Sequence, residues 1–326
     1  MLSAMTGNDW LLVETLGSEP TVVADGRRAR EWTSVSRSRR TVGPKAADLM
    51  TTLVDRLRHG SDPEVRIAAD GLCGVVLPVR CAFGSVHGVQ LWVGESGDRP
   101  PPRPAVAAWD WMSETELAHH GPGLEELVFG RAPQDVRAVR TPPEVFGRMV
   151  RFDGRMEYMA IVAGTDPTGF WQGEADFRGD DGRVRVIRMV VRVHRGEKHV
   201  TRALVYEATD TSSQPAADLA MTRAVARAAG VGVGFVELVM GLVYEWTNEP
   251  PPPLQRWLTE RPQLHPDDVA AYREACREVS SAGRIRELVY RIRFSGTDWI
   301  AVQAELSRLG DEPAAGLIRV APASPD

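Results

Sequence analysis

His265-Pro266-Asp267-Asp268-Val269-Ala270-Ala271-Tyr272-Arg273-Glu274-Ala275-Cys276-Arg277-Glu278-Val279 opens the most clearly patterned segment of the chain. Val269, Tyr272, Cys276 and Val279 recur three and four residues apart, which places them in one apolar stripe on a helix. Pro266 suits a first helical turn, where a missing N–H is no loss, and Gly283 suits the exit. The Asp267-Asp268 pair is expected to serve the helix N-terminus, where negative charge is stabilising by about 0.3–1 kcal/mol. The period then changes. Leu288, Tyr290, Ile292 and Phe294 share a face opposite Arg291 and Arg293, the alternation of a strand with one buried side. Ser295-Gly296-Thr297-Asp298 reads as the turn and Trp299–Leu306 as the return strand. Gly310-Asp311-Glu312-Pro313 turns the chain into a last short strand, Leu317–Val320. On the return strand Ile300, Val302, Ala304 and Leu306 take the core side. That leaves Trp299 on the outer face as an interface candidate, to be covered by a helix at Ala216–Ala229 or by another protein, including a second copy.

Upstream, Gly234–Glu245 reads as a hairpin tight at Gly241, and Pro253–Leu258 as a short helix. Together with His265-Pro266-Asp267-Asp268, the amphipathic helix and Arg286–Leu306, this order resembles a PAS domain over roughly residues 230 to 321. In that family an acidic motif starts a helix that three antiparallel strands follow. The resemblance implies a pocket between the sheet and the helices, where a ligand would touch Tyr272 and Tyr290. The preferred reading of these two side chains is core filling, and Cys276 reads as core packing.

Residues 105 to 210 repeat the pattern. Ala107–Met112 and Leu124–Phe129 read as opening strands joined around Gly121-Pro122-Gly123. Thr141-Pro142-Pro143-Glu144 is a capping box with prolines in the first turn. Met156, Met159, Ala160 and Ala163 share a helical face closed by Gly164. The strands Gly169–Phe177, Ile187–Val193 and Val200–Glu207 complete a sheet. This segment also resembles a PAS domain, so Met156, Met159 and Ala163 become its implied pocket positions, again with core packing as the other reading. A repeat at a spacing of about 110 residues argues for tandem modules. Between the two lie the breaker Thr211–Pro215 and the Ala-rich helix Ala216–Ala229.

The first module spans residues 1 to 97. Asp9–Gly17 is an apolar opening, Val22-Val23 continues it, and Arg27–Arg40 reads as a loop or a solvated helix face. Pro44–His59 is a helix with Met50, Leu53, Val54 and Leu57 on one side. Gly74–Cys81 and His87–Gly94 flank a turn at Gly84-Ser85, and this pair resembles the central hairpin of a GAF domain. A Pro-rich stretch, Gly97–Pro104, follows as a stiff linker. The expected fold is α+β: three modules, each an antiparallel sheet with flanking helices, GAF-like at 1–97, PAS-like at 105–210, and PAS-like with an N-terminal helix at 216–322.

Composition excludes several functions. The 326 residues are 43% hydrophobic and 25% charged, the balance of an ordinary globular protein. A formal charge of −5 gives no reason to expect nucleic acid as the partner, which usually needs a basic face. No apolar run reaches the ~20 residues that cross a bilayer, and Met1–Asp9 carries no signal-peptide pattern. Three cysteines do not make a disulfide framework. Cys73 and Cys81 lie in one strand-like run, roughly 26 Å apart if extended, too far to pair. The expected compartment is the cytoplasm.

Chemistry is sparse. Gly230-Val231-Gly232-Val233-Gly234 follows a helical pattern and precedes a strand, the reverse of a dinucleotide fingerprint. Ser85 lacks a nucleophile elbow. His119, His120, His194 and His199 show no zinc-ligand spacing and read as surface residues. No haem, flavin or metal signature is found, and no catalytic residue is assigned. The whole order resembles stand-alone actinobacterial GAF–PAS–PAS proteins, which implies input modules without an output domain. That resemblance implies a non-enzymatic sensor or adaptor binding a protein partner or a second copy, gated by a small ligand in a PAS core. The alternatives are a pure scaffold with packed cores and an unrecognised enzyme.

Overall fold

The computed structural model describes residues 9–38, 42–58, 60, 62–163, 168–195, 199–208, 230–310 and 315–323. The helix expected at Ala216–Ala229 and the breaker before it lie outside these residues, as does most of the turn at Asp311–Pro313.

The first sheet is built from β1 (Leu11–Glu14), β2 (Thr21–Asp25), β3 (Arg28–Ser34), β4 (Val65–Ala69), β5 (Leu72–Arg80) and β6 (Val86–Glu95), in the antiparallel order β3-β2-β1-β6-β5-β4. Helix α1 (Pro44–Arg58) crosses one face and buries Met50, Leu53, Val54 and Leu57, as its spacing predicts. Arg28–Ser34 is an edge strand, not a loop. Its side chains are nearly all in contact with solvent, so no alternation marks it in the sequence.

The second sheet takes in β7 (Val106–Met112), β8 (Leu117–His120), β9 (Val139–Arg140), β10 (Met149–Arg151), β11 (Phe170–Arg178), β12 (Val184–Arg195) and β13 (His199–Glu207), in the order β10-β11-β12-β13-β7-β8-β9. Leu124–Phe129, expected as a strand, is a helical turn and a half, α2, bracketed by Gly123 at φ 80° and Gly130 at φ 64°. Both glycines are left-handed, a conformation that costs other residues and ends a helix cheaply here. Helix α3 (Pro142–Phe146) carries the expected capping box, with Glu144 accepting the Thr141 N–H at 2.9 Å. Helix α4 (Arg155–Ala163) buries Tyr158, Met159, Ile161 and Val162. Met156, Ala160 and Ala163 are only half-buried, so the expected face is rotated.

The third sheet comprises β14 (Gly232–Glu237), β15 (Leu242–Asn248), β16 (Gln263–Leu264), β17 (Arg286–Arg293), β18 (Ile300–Arg308) and β19 (Ala315–Pro322), in the order β15-β14-β19-β18-β17-β16. Helix α5 (Val269–Ala282) follows a 3-10 turn at Pro266–Asp268 and ends at Gly283 with φ 65°. Tyr272, Ala275, Cys276 and Val279 face the sheet and pack with Tyr290, Ile292, Val302, Ala304 and Leu306. Gly241 turns the first hairpin at φ 73°. Asp267 and Asp268 stand at the helix start as expected, Asp268 immediately before α5. The Asp268 carboxylate caps no helix N–H. It accepts instead the Arg291 backbone N–H (2.8 Å) and two guanidinium N–H groups (2.9 Å each), tying the helix start to β17.

In all three sheets the first strand pairs with the second on one side and with the last on the other. Sheets dominate: of the helices among the described residues, only α1 and α5 exceed ten residues. The units also share apolar layers. Leu12, Val23, Val79 and Cys81 of the first sheet pack with Ala108, Val190, Leu204 and Tyr206 of the second. Gly88 makes that approach close, since a Cβ there would stand 2.6 Å from Leu204 Cδ1 and 2.7 Å from the Val13 carbonyl. Tyr244 of β15 is buried in the core of the second unit, with Phe235, Met240 and Leu242 against it. The Pro-rich linker is strapped to the first sheet, Trp10 Nε1 donating to the Pro101 carbonyl (2.9 Å) and Gln90 Nε2 to that of Pro104 (2.8 Å).

Candidate functional site

The second and third units meet at a cleft of about 370 Å³. The Thr141–Pro143 cap of α3 and Glu116 form one wall. The Met240–Leu242 turn, Trp257, Arg261–Leu264 and the α5 residues Val269, Tyr272 and Arg273 form the others, with Tyr290 behind. Each position follows from local sequence. The capping box fixes the start of α3, Gly241 lets the hairpin turn sharply, and the helical stripe aims Tyr272 inward.

Polar and charged side chains from both units line this cleft. Arg261 Nε donates to Glu116 Oε2 at 2.7 Å, an exposed ion pair that bridges the two units. The Tyr272 hydroxyl donates to the Gly241 carbonyl at 2.9 Å. The Tyr290 hydroxyl is buried and has no hydrogen-bond partner among the described residues, while its ring lies 5.0 Å from that of Tyr272. Burial pushes both phenols far above their ordinary range, so each stays a neutral donor. Below the turn, Glu237 is fully buried and accepts the Val239 and Met240 N–H groups at 2.7 Å each. Burial raises its pKa to about 7 against the pull of those two bonds.

Tyr272 and Tyr290 therefore lie together at the cleft, where the sequence paired them. Met156, Met159 and Ala163 are not brought there. Met159 is buried in the second core, and the cavity within that core is about 50 Å³, walled by Trp109, Trp111, Phe129 and Tyr158 among others. A space of that size holds a few water molecules and no drug-sized ligand. Trp299 precedes β18 and is half-buried on the outer face, its ring 4.5 Å from that of His265 and 4.6 Å from the Arg293 guanidinium.

Several buried charges escaped the sequence. His120, expected at the surface, is buried, and its Nδ1 lies 2.7 Å from Glu125 Oε1. Glu125 also accepts from Arg140 (2.6 and 3.1 Å) and pairs with Arg131 (3.2 Å). Burial works to raise the Glu125 pKa, but His120 and Arg140 outweigh it and lower it. Arg192 donates to the fully buried Glu14 across the first junction, and Arg155 pairs with the buried Glu245 across the second. One set has metal-ligand chemistry, Cys81, His87 and Asp110, all buried at the first junction. These residues come from three separate strand segments, so no local spacing announces them.

Residues 9–102 match the family described as Rv3651-like, N-terminal, which is less than a third of the chain. No curated protein matches. Among solved structures, an uncharacterized protein from Mycobacterium tuberculosis is similar at 24% identity over 97% of this chain and 97% of that chain, with a TM-score of 0.78. That likeness shows the fold. A sensory box histidine kinase/response regulator from Burkholderia thailandensis E264 is 15% identical over 38% of this chain and 86% of that chain, with a TM-score of 0.27. An RNA-binding light-oxygen-voltage receptor is 11% identical over 67% and 95%, with a TM-score of 0.26. Both of these likenesses are too low to bear on function. No helix among the described residues is long and apolar enough to cross a membrane.

Proposed function

We propose that this protein is a non-enzymatic sensory adaptor of the GAF–PAS–PAS kind, acting in the cytoplasm, in which a small ligand in the cleft between the second and third units changes the surface offered to a protein partner. The cleft itself carries the reading. Its volume of about 370 Å³ falls in the range of small-molecule sites, and its lining mixes apolar side chains with charged ones from Glu116, Glu260, Arg261 and Arg273. A ligand there touches both units at once, so it binds best to one relative arrangement and shifts the population toward it. The lining contains no histidine, serine or cysteine, which favours binding over catalysis. The first strand lying between the second and the last in all three sheets supports a tandem of like modules.

Native mass spectrometry of protein purified from its own host tests this. The expected result is a retained mass of a few hundred daltons that is absent in Val269→Trp, which fills the mouth of the cleft. A bare chain mass in both proteins overturns ligand gating. The second core favours the scaffold as the other reading, because its cavity of about 50 Å³ leaves it packed.

A further inference from the structure

Three side chains with metal-ligand chemistry converge where the first and second sheets meet. Cys81 directly follows β5. A tight turn, in which Gly84 N–H donates to the Cys81 carbonyl (3.0 Å) and Cys81 N–H to that of Ser85 (2.9 Å), sends the chain back into β6. His87 is the second residue of β6, and Asp110 stands in the middle of β7 on the facing sheet. They are 3%, 1% and 2% exposed. One ligand atom of each, sulfur, ring nitrogen and carboxylate oxygen, lies within 4.8 Å of the other two.

Their orientation is informative. His87 Nδ1 is 3.4 Å from the Ala203 carbonyl oxygen on β13, which can only accept a hydrogen bond. In the neutral ring the proton therefore belongs on Nδ1, and Nε2 presents its lone pair. Nε2 faces Asp110 Oδ1 at 3.2 Å without the alignment of a hydrogen bond, and Asp110 Oδ2 has no hydrogen-bond partner either. Buried polar atoms are rarely left so. Arg202 approaches Asp110 from the side, with Nε 3.6 Å from Oδ1. A lone pair, a carboxylate and a sulfur turned toward one region need positive charge among them.

The geometry points to a binding site for a divalent first-row cation of the Zn²⁺ class, held by Cys81 Sγ, His87 Nε2 and the Asp110 carboxylate. Thiolate, imidazole and carboxylate are the three ligand types zinc takes. The Ala203 carbonyl on the far ring nitrogen is the kind of partner that orients a ligating histidine. Two anionic ligands balance the charge of the ion. Because Cys81 and His87 belong to the first unit and Asp110 to the second, the ion staples the two sheets, and its binding free energy adds to the stability of their junction.

A proton competes for the same place. Burial by itself lowers the His87 pKa, but Asp110 and Cys81 outweigh it and bring it to about 9, so an imidazolium also answers the charge. The two occupants differ at sulfur, since only the metal takes Cys81 as a bonded thiolate. The full-length chain, stripped with a chelator, is titrated with Co²⁺ alone and with Zn²⁺ alone. We expect one equivalent per chain, a near-ultraviolet sulfur-to-cobalt band, and a melting temperature raised by several degrees with Zn²⁺. Cys81→Ser and His87→Gln should lose all three, while Cys73→Ser keeps them. Absence of saturable binding, or a sulfur–cobalt band that survives in Cys81→Ser, overturns the site. Should either variant fail to fold, the wild-type chain still decides: cobalt binding without a sulfur band, or zinc binding that leaves the melting temperature unchanged, overturns it as well.

Discussion

Glu237 shows what one buried carboxylate does to a turn. Its folded pKa of about 7 lies above the ordinary 4.5, so the folded state holds a proton that the unfolded chain has released. Stability from this group is therefore complete below pH 4.5 and falls as pH rises through 7, by about 3 kcal/mol at most. Glu237→Gln removes the titration and keeps one acceptor for the hairpin amides. The melting temperature of the wild type relative to this variant should decline between pH 4.5 and 7, and parallel curves would refute the assignment. Val279, fully buried on α5, tests the opposite chemistry. Val279→Asp places a carboxylate among Tyr272, Cys276 and Val302, and should cost roughly 3 kcal/mol or more in chemical denaturation. Unchanged stability would mean that the helix face is wrong.

Trp299 is decided by the elements around it. The sequence leaves it facing outward and in need of cover. The structure supplies cover locally, from His265 before α5 and Arg293 at the end of β17. An aromatic contact and a cation over a ring contribute about 0.5–1 kcal/mol each at an exposed site. Trp299→Ala should therefore lose about 1–2 kcal/mol in denaturant titration, with the sedimentation mass unchanged. Loss of a dimer at unchanged stability would return the residue to an interface. The element scale also shows where sequence reading fails and why. The stripe of α5 and the alternation of β17 and β18 were legible because the helix buries one face against the strands and the strands bury one face against the helix. Leu124–Phe129 was not, because six largely apolar residues fit either period, and the flanking left-handed glycines choose the helix. The face of α4 was also misread, because the surface it packs against, and not its own spacing, fixes which side is buried.

At the scale of the molecule, the two junctions depend on buried carboxylates matched by arginines. Glu14 is fully buried on β1, and Arg192 reaches it from β12 while lying over the Trp32 ring. Arg192→Ala leaves Glu14 with the Gly17 N–H. An uncompensated buried charge costs 3–5 kcal/mol, and about 3 is expected here because the arginine is a quarter exposed. Hydrogen exchange should quicken in both β1 and β12, on either side of the junction. A change confined to one sheet would show that the pair does not couple them.

Single elements were legible because periodicity is local: the helix Pro44–Arg58, the capping box at Thr141, the helix after Pro266 and the hairpin it feeds are each written within about twenty residues. What lies between the three sheets came from their packing alone. The cleft draws its walls from residues as far apart as Glu116 and Ile292, and the cluster at Cys81, His87 and Asp110 joins strands of two sheets. Such sites have no period and no fixed spacing. They exist because apolar sheet faces and buried carboxylates must find partners across a junction, and which residues meet there depends on how the modules dock.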